Sequence, residues 1–72
     1  MTYGEKAVGL TFNPSKDPGV DRIKKDFADI IDGLDSIRQS TTSNETKRLM
    51  SIAITEAQGA QMWAVKALTW SD

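Results

Sequence analysis

Cysteine and histidine are both missing from the 72 residues of this chain. Without cysteine, neither a disulfide framework nor a thiolate metal site can staple so short a polypeptide. Without histidine, Ser–His and Cys–His nucleophilic chemistry is closed to a single chain, and so are histidine-based metal sites. Long apolar runs are absent too: nothing approaches the roughly 20 residues of a membrane span. The opening residues, MTYGEKAVGL, lack the basic region and apolar core of a signal peptide. Nor is there an excess of positive charge. Nine Lys/Arg stand against ten Asp/Glu, a net charge of −1, which suits a duplex nucleic-acid binder poorly. The expectation is a soluble, cytoplasmic chain with one small domain and no membrane partner. Domains of this size without staples rely on unusually good helix packing or on association.

Carboxylates are the one catalytic resource left, and Asp21, Asp26, Asp29, Asp32 and Asp35 cluster on the first long predicted helix. Charged helical residues at such spacing usually form a solvated face. Neither enzymatic turnover nor a cofactor is expected.

What the chain does have is the stretch Ile52–Trp70, IAITEAQGAQMWAVKALTW. Alanines fall at 53, 57, 60, 64 and 67, the a/d rhythm of a helix–helix seam written in the smallest helix-favouring side chain. The large residues Ile52, Ile54, Met62, Trp63, Val65, Leu68 and Trp70 occupy most of the remaining circumference. A helix apolar nearly all round is buried nearly all round, and a short chain cannot do that alone. This element is therefore expected at the centre of a homo-oligomer, with Ala53, Ala57, Ala60, Met62 and Trp63 in the interface and Trp70 capping the packing below.

Residues 1–18 read as an N-terminal arm. Pro14 and Pro18, with Gly9 and Gly19, predict loop or extended backbone. Val8, Leu10 and Phe12 alternate as in a segment laid across a partner rather than a disordered tail. Helix one is predicted from about 18 to 39, with Asp17 as N-cap and Pro18 at the first helical position. Its apolar stripe is Val20, Ile23, Phe27, Ile30, Leu34 and Ile37, widened by Ile31. Gly33 inside it signals either a close crossing with the alanine seam or a merely tolerated glycine. Ser40–Asn44 is a polar turn. Thr42 with Glu45 reads as a capping box, with Ser43 or Asn44 as alternative caps, and helix two runs from about 43 to 70. A turn this short makes the helices antiparallel. The fold class is all-α: a hairpin of two long helices, residues 19–72, preceded by the arm, together a single domain.

Two clusters are candidates for binding. Lys16, Arg22, Lys24 and Lys25 gather at the start of helix one, where positive charge opposes the helix dipole unless an anion joins it. Helix-start N–H groups and lysines suit a phosphate, and Phe12 just upstream offers a face on which a base can stack. The bland alternative leaves the lysines solvated and Phe12 as a core plug. On helix two, Thr55, Glu56, Gln58, Gln61 and Lys66 interrupt an apolar surface. Once buried they need partners, either across a protomer interface or around a small polar cavity.

The run Ser51–Ala67, SIAITEAQGAQMWAVKA, resembles the second helix of small phage proteins that share the anti-CBASS/anti-Thoeris hairpin domain. Gly9-Leu10-Thr11-Phe12-Asn13-Pro14, followed by Ile23-Lys24, is similar to that family's N-terminal loop and helix-one lysine. The resemblance implies a compact helical homo-oligomer, often a hexamer, in the cytoplasm of the infected bacterial host. It implies sequestration of cyclic nucleotide immune messengers (cyclic dinucleotides or related signals) without cleavage. Phe12 and Lys24 match the family's ligand-binding positions, and Gly9, Asn13 and Lys25 beside them complete the candidate site. Some members hold cyclic trinucleotides through a helix-two arginine, where this chain carries Ile54. Some relatives have tyrosine where Phe12 stands. The alternative is an oligomeric helical adaptor with no small-molecule ligand.

Overall fold

Asp17 turns the chain into its first long helix. In the computed structural model, which describes residues 1–72, its carboxylate accepts from the Gly19 N–H at 2.7 Å and Pro18 takes the first helical position. Three helices follow the chain: α1 (Tyr3–Val8), α2 (Pro18–Ser40) and α3 (Asn44–Leu68). Ser43, one of the alternative caps, starts α3 by accepting from the Thr46 N–H at 3.1 Å. The three residues Thr41–Ser43 reverse the chain, and α2 and α3 pack together as a hairpin.

The arm is not wholly extended. Thr2 accepts from the Glu5 N–H and Glu5 returns a bond to the Thr2 N–H, a capping box that opens α1. Gly9, at φ 62°, closes it in the left-handed conformation that glycine adopts without strain. Pro14 and Pro18 restrict only the residues around themselves, which leaves Tyr3–Val8 free to coil.

Six residues make too short a helix to persist alone in water. α1 exists because it is docked on α2. Gly4 is buried against α2, and a Cβ there would strike the Ala28 carbonyl. The close backbone crossing is thus at Gly4 and not at Gly33, where an added Cβ meets nothing within 4 Å.

The most buried line of α2 is Val20, Lys24, Ala28, Ile31 and Asp35. It lies beside the expected stripe rather than on it. Ile23, Phe27 and Leu34 are half-buried, while Ile30 and Ile37 remain 54% and 47% exposed. The reason is that α2 serves two neighbours, α1 and α3, and the line between them is covered best. Val8, Ala28, Ile31 and Ile54 form the core, with Ala7, Leu10, Phe27, Leu34 and Ala57 packed around it. The alanine seam is correspondingly offset. Ala53, Ala57 and Ala64 are half-buried, Ala60 and Ala67 are exposed, and Ile54 and Gln61 go deepest.

At the turn end, Asp35 accepts from Arg38 and Gln39, both at 2.7 Å, and Arg38 donates to Ser51 of α3 at 3.0 Å. The Arg38 guanidinium also lies 5.3 Å from the Tyr3 ring centre, so one side chain joins all three helices. The body measures 46 × 24 × 12 Å with a radius of gyration of 13.4 Å. A compact chain of this length has about 11 Å. Only 9 of 72 residues are buried, and Leu49, Ile52, Met62, Trp63 and Leu68 of α3 are exposed. Trp70 does not cap any packing within the chain: it is exposed beyond the helix end and donates to Asp72 at 2.9 Å. No helix is long and apolar enough to cross a membrane.

Candidate ligand-binding site

Three segments meet at the open end of the hairpin. The turn after α1 supplies Phe12, Asn13, Pro14 and Ser15, the first turns of α2 supply Val20 and Lys24, and the end of α3 supplies Val65 and its C-cap Thr69. They enclose a cleft of about 240 Å³.

Lys24 is its polar centre. The residue is only 5% exposed, because α2 turns it toward the arm on the buried line. Its Nζ donates to the Gly9 carbonyl at 3.0 Å and to the Phe12 carbonyl. An ammonium has three donors, so one remains. The ion pairs of the chain are Lys25–Asp29, Arg38–Asp35 and Arg48–Glu45, so no carboxylate neutralises Lys24. A buried charge is normally paired, and a buried cation held by carbonyl dipoles alone favours an anion in the space beside it. The Phe12 ring stands over the same ammonium, 5.4 Å from Nζ to its centre, within cation–π range. It is 72% exposed, a flat face free to stack rather than a core plug.

Asn13 is committed to the scaffold. Its Nδ2 donates to the Asp17 carbonyl and to the Asp21 carboxylate, both at 2.9 Å, and its Oδ1 accepts from Ser15 at 2.6 Å. The start of α2 is occupied as well: the Gly19 N–H goes to the Asp17 carboxylate and the Val20 N–H to the Asp17 carbonyl. The helix start therefore has fewer free donors for a phosphate than its sequence suggested. Lys24 is the cation left at the site.

The other expected members are placed differently. Gly9 contributes its carbonyl to Lys24 and does not line the cleft. Lys25 points away, paired with Asp29 at 2.8 Å on the exposed face. That hydrogen bond, and the Asp29 charge behind it, raise the Lys25 pKa above its ordinary 10.5. Lys16 and Arg22 are exposed and apart from the cleft. On α3, Gln58 reaches the Ala7 carbonyl of α1 at 3.3 Å, and Gln61 is buried. Lys66 stands outside, 5.2 Å from the ring centre of Trp63 and 5.9 Å from that of Trp70. Ile54 is in the core and presents nothing to a ligand. Pro14, Ser15, Val20, Val65 and Thr69 also line the cleft, and none of them stood out in the sequence as ligand-binding. The antiparallel pairing of α2 with α3, which brings their open ends together, is the signal that could place Val65 and Thr69 there.

Residues 5–69 match the Acb2/Tad1 hairpin domain. The chain belongs to that family. The Acb2/Tad1 hairpin is the domain of phage anti-CBASS/anti-Thoeris sponge proteins, and the match spans all but the first two residues of α1, the whole hairpin and every residue of the cleft. No curated protein and no solved structure matches the chain.

Proposed function

We propose that this protein is a phage anti-defence sponge that binds a cyclic nucleotide immune messenger in the Lys24–Phe12 cleft and withholds it without cleavage. The carrying observation is the buried, carboxylate-free Lys24 ammonium beneath an exposed aromatic face, in a chain of the Acb2/Tad1 hairpin family. Lys24 supplies the charge for a phosphate and Phe12 the surface for a base. Nothing in the cleft is suited to activate a water: Lys24 is its only ionisable side chain, beside Asn13, Ser15 and Thr69.

The binding unit is a homo-oligomer, with a hexamer favoured. The cleft of one chain, about 240 Å³, is smaller than the roughly 300–1,000 Å³ of sites that enclose a drug-sized ligand. A second copy would complete it, and the exposed Met62 and Trp63 give that copy an apolar surface to bind. Sequestration would take place in the cytoplasm of the infected bacterium, with neither membrane nor duplex nucleic acid as partner.

Isothermal titration of the purified protein with a panel of cyclic di- and trinucleotides tests this, followed by denaturation and chromatography of the released ligand. Saturable binding with intact recovery is expected. Recovery of a cleaved product would make the protein an enzyme. A flat titration across the panel would favour the ligand-free adaptor.

A further inference from the structure

α1 lies along α2 as a strut whose far end carries the aromatic of the cleft. At its start, the Gly4 N–H donates to the Asp32 carboxylate of α2 at 2.7 Å, a charge-assisted bond to the first turn of a helix. At its last turn, Gln58 of α3 holds the Ala7 carbonyl at 3.3 Å. Gly9 then closes α1, its N–H bonded to the Lys6 carbonyl at 3.2 Å, and its own carbonyl is taken by Lys24. The Leu10 N–H returns to Glu5 at 3.0 Å and the Phe12 N–H to Gly9 at 2.9 Å. Every step from Asp32 to the Phe12 backbone is therefore a hydrogen bond or a turn of helix. Asp32 is two turns of α2 from Lys24, about 12 Å along the axis, and the cleft residues do not include it.

From this chain of contacts we infer that Asp32 is a positioning residue for nucleotide binding: it anchors α1 and so pre-orders Phe12 over Lys24 before the ligand arrives. The inference rests on the sponge reading. α1 is too short to hold its own shape, so its order depends on the packing of Ala7 and Val8 at the core together with these polar anchors. A ligand that had to order the arm itself would bind more weakly. Gln58 is the second anchor, acting at the other end of the strut.

Two measurements on the full-length protein test it. The first is amide hydrogen exchange without ligand. Asp32→Ala is expected to speed exchange at Leu10 and Phe12 and to leave the core amides of α3 unchanged, while Asp32→Asn, which keeps an acceptor for Gly4, stays near the wild type. The second is a double-mutant cycle read by titration with the cyclic dinucleotide that the wild type binds best. Asp32→Ala should weaken binding about tenfold, the loss set by an arm that must be ordered on binding. Asp32→Asn should recover most of it. In a Phe12→Ala background, Asp32→Ala should cost nothing further, since it acts only through the ring. Unchanged exchange at Leu10 and Phe12, full affinity in Asp32→Ala, or an additive loss in the Phe12→Ala background would each overturn the role of Asp32. A wild type that binds no cyclic nucleotide overturns the sponge reading instead, and the exchange experiment still decides whether Asp32 orders the arm.

Discussion

The Lys24 ammonium holds the Gly9 carbonyl at 3.0 Å and the Phe12 carbonyl beside it, while its centre lies 5.4 Å from the Phe12 ring centre. One side chain thus fixes the arm and charges the cleft. Removing it does two separable things. Lys24→Ala leaves the Phe12 carbonyl without a donor and the Gly9 carbonyl with only the Phe12 N–H, which costs about 1 kcal/mol and lowers Tm by about 4–8 °C. It also deletes the charge, and nucleotide affinity should fall by at least about tenfold. Lys24→Met loses the same hydrogen bonds and charge but keeps the packing of the apolar stem, so it should reproduce the binding loss with a smaller drop in Tm. Calorimetry on the two variants separates the stem packing from the loss of the ammonium.

Phe12 makes the opposite prediction for stability. Its ring is mostly solvent-exposed, so Phe12→Ala should leave Tm within about 2 °C of the wild type. A base that stacks on an aromatic gains about 1–3 kcal/mol, so affinity should fall by roughly tenfold to more than a hundredfold. Phe12→Tyr keeps the face and should bind like the wild type. Should Phe12→Ala bind with full affinity, the ring is not the stacking surface.

Two glycines provide a matched pair. Gly4→Ala pushes a Cβ into the Ala28 carbonyl and should destabilise the fold by about 1–3 kcal/mol, with α1 detached. Gly33→Ala enters open space in the middle of α2 and should stabilise by up to about 1 kcal/mol. Thermal melts of both show the contrast. A destabilised Gly33→Ala would reveal a neighbour packed on that face.

These positions also show what was legible from the residues and what was not. Asp17-Pro18 marked the start of α2 because cap and preset φ are local, and the polar turn at Ser40–Asn44 marked the reversal for the same reason. The capping box Thr2–Glu5 and the terminal Gly9 are equally local signals. Pro14 and Pro18 suggest extended backbone but act only on the residues beside them, so they leave those signals intact. The rotation of α2 was hidden for a different reason. Ile30 and Ile37 are more apolar than Lys24 and Asp35, yet the latter are buried, because α1 and the Arg38 cluster supply partners that hydrophobic periodicity cannot register. Lys24 and Phe12 stood out as candidates from their neighbourhood in the chain. Val65 and Thr69, more than forty residues away, join them only once the hairpin has closed.

pH should matter little across the neutral range. The chain has no histidine, the side chain whose ordinary pKa lies near neutrality. Lys25 is shifted upward by its hydrogen bond to Asp29, and Arg38 by its hydrogen bond to Asp35, with Tyr3 beside it adding to the shift. A raised pKa means that the folded state holds the proton more tightly. Any stabilisation by these pairs is then full below the unfolded values and lost as pH rises through the folded ones. For Lys25 that window opens above 10.5. Melting temperature and affinity are both expected to stay flat from about pH 6 to 8.5, as parallel melts and titrations would show.

Met62 and Trp63 are the test of assembly. Both are exposed on α3, and placing a charge there should split an oligomer without touching the Lys24 hydrogen bonds. Trp63→Asp is expected to give a smaller species by light scattering, with a melting temperature that is lower and less dependent on concentration. An unchanged mass would move the interface elsewhere.

The clamp formed by Asp35 and Arg38 of α2 and Ser51 of α3 bridges the two helices near the chain reversal, at the end of the hairpin remote from the cleft. It stands between the short Thr41–Ser43 link and the cleft. Loop lengthening is thermodynamically gentle, so a peptide tag or a fluorophore spliced between Thr41 and Thr42 should leave the cleft intact. The hairpin's blunt tip is thus a natural place to attach a reporter for testing the proposed messenger capture inside cells.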